Sequence, residues 1–480
     1  MLKAIYLTLL SAGIAVIFNS LFFEKVPGIS VAIITVILLG TVHIFGLHQQ
    51  VSLRKSWWLV ALICFFALMP GIRANDFLTF LNICATFGLL MLVASELTGT
   101  PAPFMRLRDY LVLMTLIPLR MLGKAASTVT LLGQIRSQAQ HRDVWLRVLK
   151  GTVLAVPVLI IFGVLFSQAD LAFAQFIKRF IDIHISERTI QYLVLLLFAF
   201  VATLSFLSFI FFTKKGEPRE PSAAVAQPGR SIEVMVFLGL IAALFLVFIG
   251  FQITYLFGGE ANIVGAGFTY AEYARRGFFE LLAVAALSLL VLLASEKYAG
   301  AETKRDRRFL IPALVLIAEV GVVIASAAKR LSLYIDAYSL TELRFYVAGF
   351  LVLLLALFTL LAVKFITSRR EEFFVFGSLL AIATSLITVN LVNPDAFIAR
   401  YNLEQHSRTD KIDVVYIGRL SADAEQQKIE LYQKLAGPDK DVLRELLQKQ
   451  KERLEKTNAH WQSANLSRTR ALKVLQELEI

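Results

Sequence analysis

The sequence predicts an all-α, polytopic helical membrane protein of about eleven spans with a small soluble helical module at its C-terminus. Three observations predict it. Of the 480 residues 57% are hydrophobic and only 18% charged, against roughly a quarter charged in an ordinary soluble protein. Apolar runs such as 193–212 and 345–363 are long enough to cross a hydrocarbon core of about 30 Å, and they lack the alternation of barrel strands. The net charge of +12 gathers in short loops between those runs. That is the positive-inside pattern, and with acids and bases mixed in the tail it excludes a nucleic-acid groove.

Taken in order, spans are predicted at 4–23, 28–47, 57–72, 77–96, 151–169, 189–212, 232–257, 275–296, 309–328, 343–366 and 372–393. The first has only Lys3 before it, is longer than a signal-peptide core, and precedes no small-residue cleavage site, so it is read as a retained span. The chain divides into a six-span bundle over 1–212, a linker over 213–231, a five-span bundle over 232–393 and the helical module over 394–480. The linker reads KKGEPREPSAAVAQPGR, rich in Pro, Ala and charge. No internal repeat relates the two bundles.

Interfacial helices are expected near 104–140 and 171–183. The run DYLVLMTLIPLR over 109–120 has only about ten apolar residues between charges, so it is read as lying along the membrane and not crossing it. Arg54, Lys55, the basic block from Arg106 to Lys150, Lys214, Lys215, Arg219, the group Lys304 to Arg308, and Arg369 with Arg370 then share one side. The expectation is a cytoplasmic N-terminus and an extracytoplasmic tail. In the tail, Leu443, Leu446, Leu447 and Leu454 follow a Gly437-Pro438 stop and an Asp439 cap. At about 85 residues the module is near the lower limit for a self-sufficient core, so it is expected to lean on the outer loops.

Glu319 lies near the middle of a predicted span and His43 inside another. Glu319, in LVLIAEVGVVIAS, is a site candidate because a charge at that depth is costly; the competing reading is a neutral Glu bonded across a helix interface. His43 is read more simply as a neutral imidazole donating one hydrogen bond within the bundle. A denser polar set lies where later spans begin and end on the outer side: Tyr270, Glu272, Tyr273, Arg275, Arg276 and Glu280 in one segment, Asp336, Tyr338, Glu342 and Arg344 in another. Arg276 and Glu280 are one turn apart. The competing reading is a set of interfacial anchors. The Gly-rich stretch 258–267 suggests an irregular outer loop.

Cys64 and Cys84 sit in apolar runs and read as packing residues, with no disulfide or metal motif. No HExxH, GxSxG, P-loop or dinucleotide fingerprint occurs, so no catalytic residue, metal or cofactor is assigned.

Several segments together resemble a bacterial family of uncharacterised polytopic membrane proteins known as a domain of unknown function, of the four-one-five-three or four-one-seven-three type. They are YAEYARRGFFEL at 270–281, LYIDAYSLTELRFY at 333–346, NPDAFIARYNL at 393–403, DVVYIGRLSADA at 413–424 and WQSANLSRTRA at 461–471. The tail pieces single out Asn393, Asp395, Arg400, Asn402, Asp413, Asp423, Trp461 and Asn465. The resemblance implies a multi-pass protein of the bacterial cytoplasmic membrane and carries over no activity. One departure is Ala337-Tyr338-Ser339, where a glycine-containing turn is expected.

Function is left between three readings, in order: a non-enzymatic envelope protein whose outer module binds a protein partner or senses a signal; a transporter or channel using Glu319; and an enzyme on lipid-linked substrates. The last is disfavoured because the first outer loop, 24–27, is too short for an acidic catalytic motif. Lipid is the expected partner of the spans.

Overall fold

The computed structural model describes residues 2–47, 49, 51–99, 101–133, 186–213, 231–256, 278–299, 306–409 and 412–478, with scattered positions between 159 and 175. Among them there is no strand. The helices are α1 Leu2–Phe22, α2 Ile29–Leu47, α3 Trp57–Leu68, α4 Asp76–Thr98, α5 Leu107–Gly133, α6 Glu187–Phe212, α7 Ser231–Leu256, α8 Phe278–Ala299, α9 Arg307–Tyr338, α10 Glu342–Ile366 and α11 Glu371–Val392. Five shorter helices follow: α12 Pro394–Thr409, α13 Val414–Arg419, α14 Glu425–Lys434, α15 Pro438–Asn458 and α16 Leu466–Glu477. Ten helices, α1 to α4 and α6 to α11, are long and apolar enough to cross a membrane, α3 with its flanking turns. This is a multi-pass membrane protein. The span expected at 151–169, the surface helix at 171–183, the linker and the Gly-rich loop fall wholly or mostly outside the described residues.

Contacts at the helix ends sort the bundle into two faces. On the N-terminal face the Lys3 ammonium donates to Gln49 and, at 2.6 Å, to the Phe211 carbonyl, which brings together the start of α1 and the ends of α2 and α6. The opposite face, called here the tail face, joins the end of α1 to the start of α6 through Arg188 and Glu24 at 2.7 Å. Arg54, Lys55, Arg106, Arg307, Arg308, Arg369 and Arg370 lie at helix ends of the N-terminal face.

Helix α5 contains the 109–120 run, and both of its ends sit at the N-terminal face. Arg106 pairs with Glu372 at 2.9 Å beside the start of α11, and Thr128 donates to Ser208 at 2.9 Å, one turn from the end of α6. Its buried residues Leu113, Ile117, Met121 and Ala125 recur every fourth position and form one apolar stripe.

Two apolar cores form. One gathers α1 to α6, the other α7 to α10, and α11 packs on both, through Leu379 and Leu386 to the first and Phe374 and Val375 to the second. At the N-terminal end of the second core, Lys364 and Glu296 form an ion pair at 2.5 Å with both side chains buried.

Three expectations are corrected. Helix α9 runs to Tyr338, ten residues past the predicted span end at 328, because Arg330 and Leu331 continue its buried stripe beyond the apolar run. Cys64 and Cys84 are exposed, so they point to lipid and not into the packing. Helix α15 starts at Pro438 after Gly437 in a left-handed conformation (φ 67°), which puts Asp439 inside the first turn, where its charge complements the helix dipole, and not at the cap.

Candidate functional site

Helices α12 to α16 form a cap on the tail face, and the residues that seat it make up the most concentrated buried polar assembly among the described residues. Its hub is Asn75, the N-cap of α4, 3% exposed. The side-chain oxygen accepts from the Leu78 N–H at 2.9 Å, leaving the amide nitrogen to bridge carboxylates from two other elements. That Nδ2 donates to Glu342 Oε1, at the start of α10, at 2.5 Å. It also reaches both Asp395 oxygens, in the first turn of α12, at 3.0 and 3.1 Å. A third carboxylate arrives from the cap: Asp423 Oδ2 accepts from the Ala74 and Asn75 N–H groups at 2.8 and 3.0 Å. Ser421 N–H closes the ring on Asp395 at 3.1 Å.

Two phenols line the junction. Tyr416 takes the Glu342 N–H on its oxygen at 2.7 Å, and Tyr346 donates to Asn75 Oδ1 at 3.4 Å. Burial pushes the Tyr416 hydroxyl up to about 12, so it stays a neutral hydrogen-bonding group. Burial likewise raises Asp423, opposed by bonds from Ser467 and the Ala74 N–H. Below the hub, Asn82 and Asn390 exchange reciprocal amide bonds at 2.9 Å, tying α4 to α11.

The cap is fastened by further polar clamps. Asn465, N-cap of α16, donates to the carbonyls of Pro70 and Arg73 at 2.8 and 2.7 Å. Asn402 grips Leu340 through both its N–H and its C=O, at 2.8 and 2.9 Å. Ile29 N–H donates to the Ala464 carbonyl at 3.0 Å, and a Cβ on Gly28 would lie 2.6 Å from that same oxygen, so only glycine allows this approach. Within the cap, Lys428 is fully buried and held by the Leu420 carbonyl and Gln450, both at 2.6 Å, with Glu425 at 3.5 Å. Burial lowers Lys428 and raises Glu425.

The sequence candidates are redistributed. Glu342, Asp395 and Asp423, drawn from three separate segments, meet around Asn75. Asp336 and Tyr338 are exposed, and their backbone carbonyls accept from Gln405 at 3.0 Å and Arg344 at 2.7 Å. Arg344 stacks on Tyr334 at 3.9 Å from the ring centroid. The expected glycine turn is occupied by Ser339 at φ 65° and ψ 170°, a conformation that glycine adopts and serine resists. Asn393 caps α11 in the left-handed region (φ 59°), and Asp413 caps α13 by accepting from Tyr416 N–H at 2.8 Å. Arg400 and Trp461 are exposed. Tyr270, Glu272, Tyr273, Arg275 and Arg276 lie outside the described residues, and Glu280 is exposed in the first turn of α8.

Of the intramembrane pair, Glu319 is buried, and its Oε2 has no hydrogen-bond partner among the described residues. His43 is exposed on α2 and does not face the bundle interior, since the stripe of Val31, Ile34, Leu39 and Val42 takes that side. The hub itself escaped sequence reading. Asn75-Asp76 ahead of an apolar run is an N-cap signature, but nothing local says that its amide also meets distant acids.

Among the described residues no group of His, Cys, Asp or Glu has a metal-holding arrangement. Amide, backbone and hydroxyl donors hold the three carboxylates and fasten cap to bundle, while the buried Asp423 Oδ1 has no hydrogen-bond partner among the described residues. No curated protein and no solved structure matches the chain. A family model matches residues 60–431, which takes in Asn75, Glu342, Asp395 and Asp423 and leaves Asn465 and the 461–471 segment beyond its end. Covering most of the sequence, that match makes the chain a member of the family described as Domain of unknown function (DUF4153).

Proposed function

We propose that this is a non-enzymatic membrane protein whose cap receives a protein partner or signal and whose spans anchor it and relay its state. The observation that carries the reading is the Asn75 hub. One amide holds Glu342 of α10 and Asp395 of the cap, while its own backbone N–H meets Asp423, so a displaced cap alters both halves of the bundle. The basic helix ends on the N-terminal face support a cytoplasmic N-terminus, with the cap outside and the protein in a bacterial cytoplasmic membrane.

The test is complementation of a deletion strain by the full chain, by Asn75→Ala and by a chain ending at 393. Loss of complementation by both variants, with the protein still inserted, is expected. A fully active truncation sinks the reading. A transporter is the second reading, favoured by Glu319, whose buried Oε2 has no hydrogen-bond partner among the described residues. Under that reading Glu319→Gln abolishes solute or proton flux in proteoliposomes; under the first it leaves complementation intact.

A further inference from the structure

The Asn75 junction brings more acid together than its hydrogen-bond donors balance. An amide nitrogen carries two hydrogens, and that of Asn75 meets three carboxyl oxygens, Glu342 Oε1 at 2.5 Å and the two of Asp395 at 3.0 and 3.1 Å. The Glu342 and Asp395 carboxyls also stand within hydrogen-bond reach of each other. Two carboxylates repel at that range, whereas a carboxyl and a carboxylate share a hydrogen there. A third acid, Asp423, is 9% exposed, and its Oδ1 has no hydrogen-bond partner among the described residues.

The surrounding charges decide which acid holds the hydrogen. Arg73, Arg468 and Lys428 face Asp423, and Lys428 also faces Asp395. Their donors go to other groups: Arg73 to the Asn390 carbonyl at 2.8 Å, Arg468 to that of Pro27 at 3.4 Å, and Lys428 to Leu420, Gln450 and Glu425. Arg344, facing Tyr416, stacks on Tyr334 and donates to the Tyr338 carbonyl. The leading charges set against Glu342 are instead acidic, Asp395 and, from the first turn of α4, Asp76. The other titratable neighbours are the Tyr346 and Tyr416 phenols. Asp395 is fully buried and accepts from the Ser421 N–H as well, which suits a carboxylate. Glu342 is half-buried, so its carboxyl is the one open to exchange with water.

We propose that Glu342 binds a proton and shares it in a hydrogen bond with Asp395, and that this proton is the signal the cap receives. The inference rests on the reading of the cap as a receiver and names what it receives. Bound, the proton ties α10 of the bundle to α12 of the cap. The step is a plain ionisation: the Glu342 O–H gives its proton to water on the tail face, and the pair passes from one negative charge to two. Like charges then oppose each other across the seam, one on each side, and the cap loosens from its seat. Docking is therefore strongest in acid and weakens as pH rises through the ionisation.

The test uses the purified full chain in nanodiscs at about pH 5 and about pH 8, with hydrogen exchange of the 394–424 segment divided by the intrinsic rate at each pH. Protection is expected to fall by at least about tenfold on the alkaline side. Glu342→Gln replaces the protonated acid by an amide of the same shape, so the cap stays seated and the fall shrinks to about twofold or less. Asp395→Asn removes the same repulsion from the cap side, which keeps the test open if Glu342→Gln does not fold. Infrared difference spectra between the two pH values show a carboxylic-acid carbonyl band lost on the alkaline side, and the band is smaller in Glu342→Gln. The proposal is overturned if wild-type protection is the same at both pH values, if both variants keep the full fall, or if the band is unchanged in Glu342→Gln. Locked in its seat, Glu342→Gln is also expected to fail in complementation. If it complements while the chain ending at 393 does not, the signal is not this proton and the receiver reading stands; if the chain ending at 393 complements, that reading falls and the inference falls with it.

Discussion

At the scale of single residues, Asp423 shows how the cap is seated and what acidity does to that seat. Its Oδ2 satisfies two N–H groups of the α3–α4 turn. Asp423→Ala leaves both donors buried and unmet, a loss of about 1–3 kcal/mol for each that stays dry. Asp423→Asn keeps an accepting oxygen and removes the charge. Because burial raises the folded carboxyl above its unfolded value near 3.9, its contribution to docking is full below that value and is lost as pH rises through the folded one. Glu425, also raised by burial, acts in the same direction. Lys428, lowered by burial, acts on the alkaline side below its ordinary 10.5, where its contribution is lost as pH falls. Thermal midpoints of the full chain at pH 5 and pH 8 are therefore expected to favour the acid side. The difference narrows in Asp423→Asn, and an unchanged difference would assign it to other groups. Ser339 gives the opposite kind of prediction. Ser339→Gly releases the strained φ of 65° and raises stability by about 1 kcal/mol, read as a higher midpoint, with Arg344 still gripping the neighbouring carbonyl.

Among elements, the cap and the bundle were legible to different degrees, and the difference is physical. Hydrophobic length announces a span by itself, so α1, α2, α4, α6, α10 and α11 stand close to where the apolar runs place them. The overrun of α9 to Tyr338 was hidden because its last turns are amphipathic and read as loop. The cap's helices showed their periodicity, yet their seating depends on Asn75, Gly28 and Pro70, hundreds of residues away in sequence, and no local pattern encodes such a partner. Gly28 makes the point testable. Gly28→Ala puts a methyl 2.6 Å from the Ala464 carbonyl oxygen, which belongs to the backbone and has no side-chain rotation to yield with. The 3-10 turn Trp461–Ser463 and α16 must then move off the α1–α2 corner. Hydrogen exchange of the Ile29 and Ser467 amides, which bond across this seam, is expected to speed up by about tenfold or more for a loss of about 1.4 kcal/mol. Unchanged protection at both amides would show that the seam closes without glycine.

Over the whole molecule, the question is what keeps the two apolar cores in one arrangement when lipid supplies no hydrophobic drive between helices. Polar contacts do part of it: the Asn82–Asn390 exchange on the tail side ties α4 of the first core to α11, and the Lys364–Glu296 pair at the opposite face fixes helices within the second. The ion pair lies inside the second core, joining α8 and α10, with Lys364 also over the Phe374 ring of α11. Breaking one partner strands the other charge, so Lys364→Met alone is expected to cost about 3–5 kcal/mol, while Lys364→Met with Glu296→Leu recovers most of that. The Asn pair behaves differently. Asn390→Leu leaves a neutral amide that can turn to a nearby helix carbonyl, and the cost falls to about 1–2 kcal/mol. Urea or heat unfolding of the two single variants and the double variant in one detergent separates these cases. If the double variant is no more stable than Lys364→Met, the pair contributes shape and not charge, and the cores are held by packing through α11. If it recovers, the buried charges act as a register device: they cost stability in isolation, and they penalise any rotation of α8 or α10 that would part them.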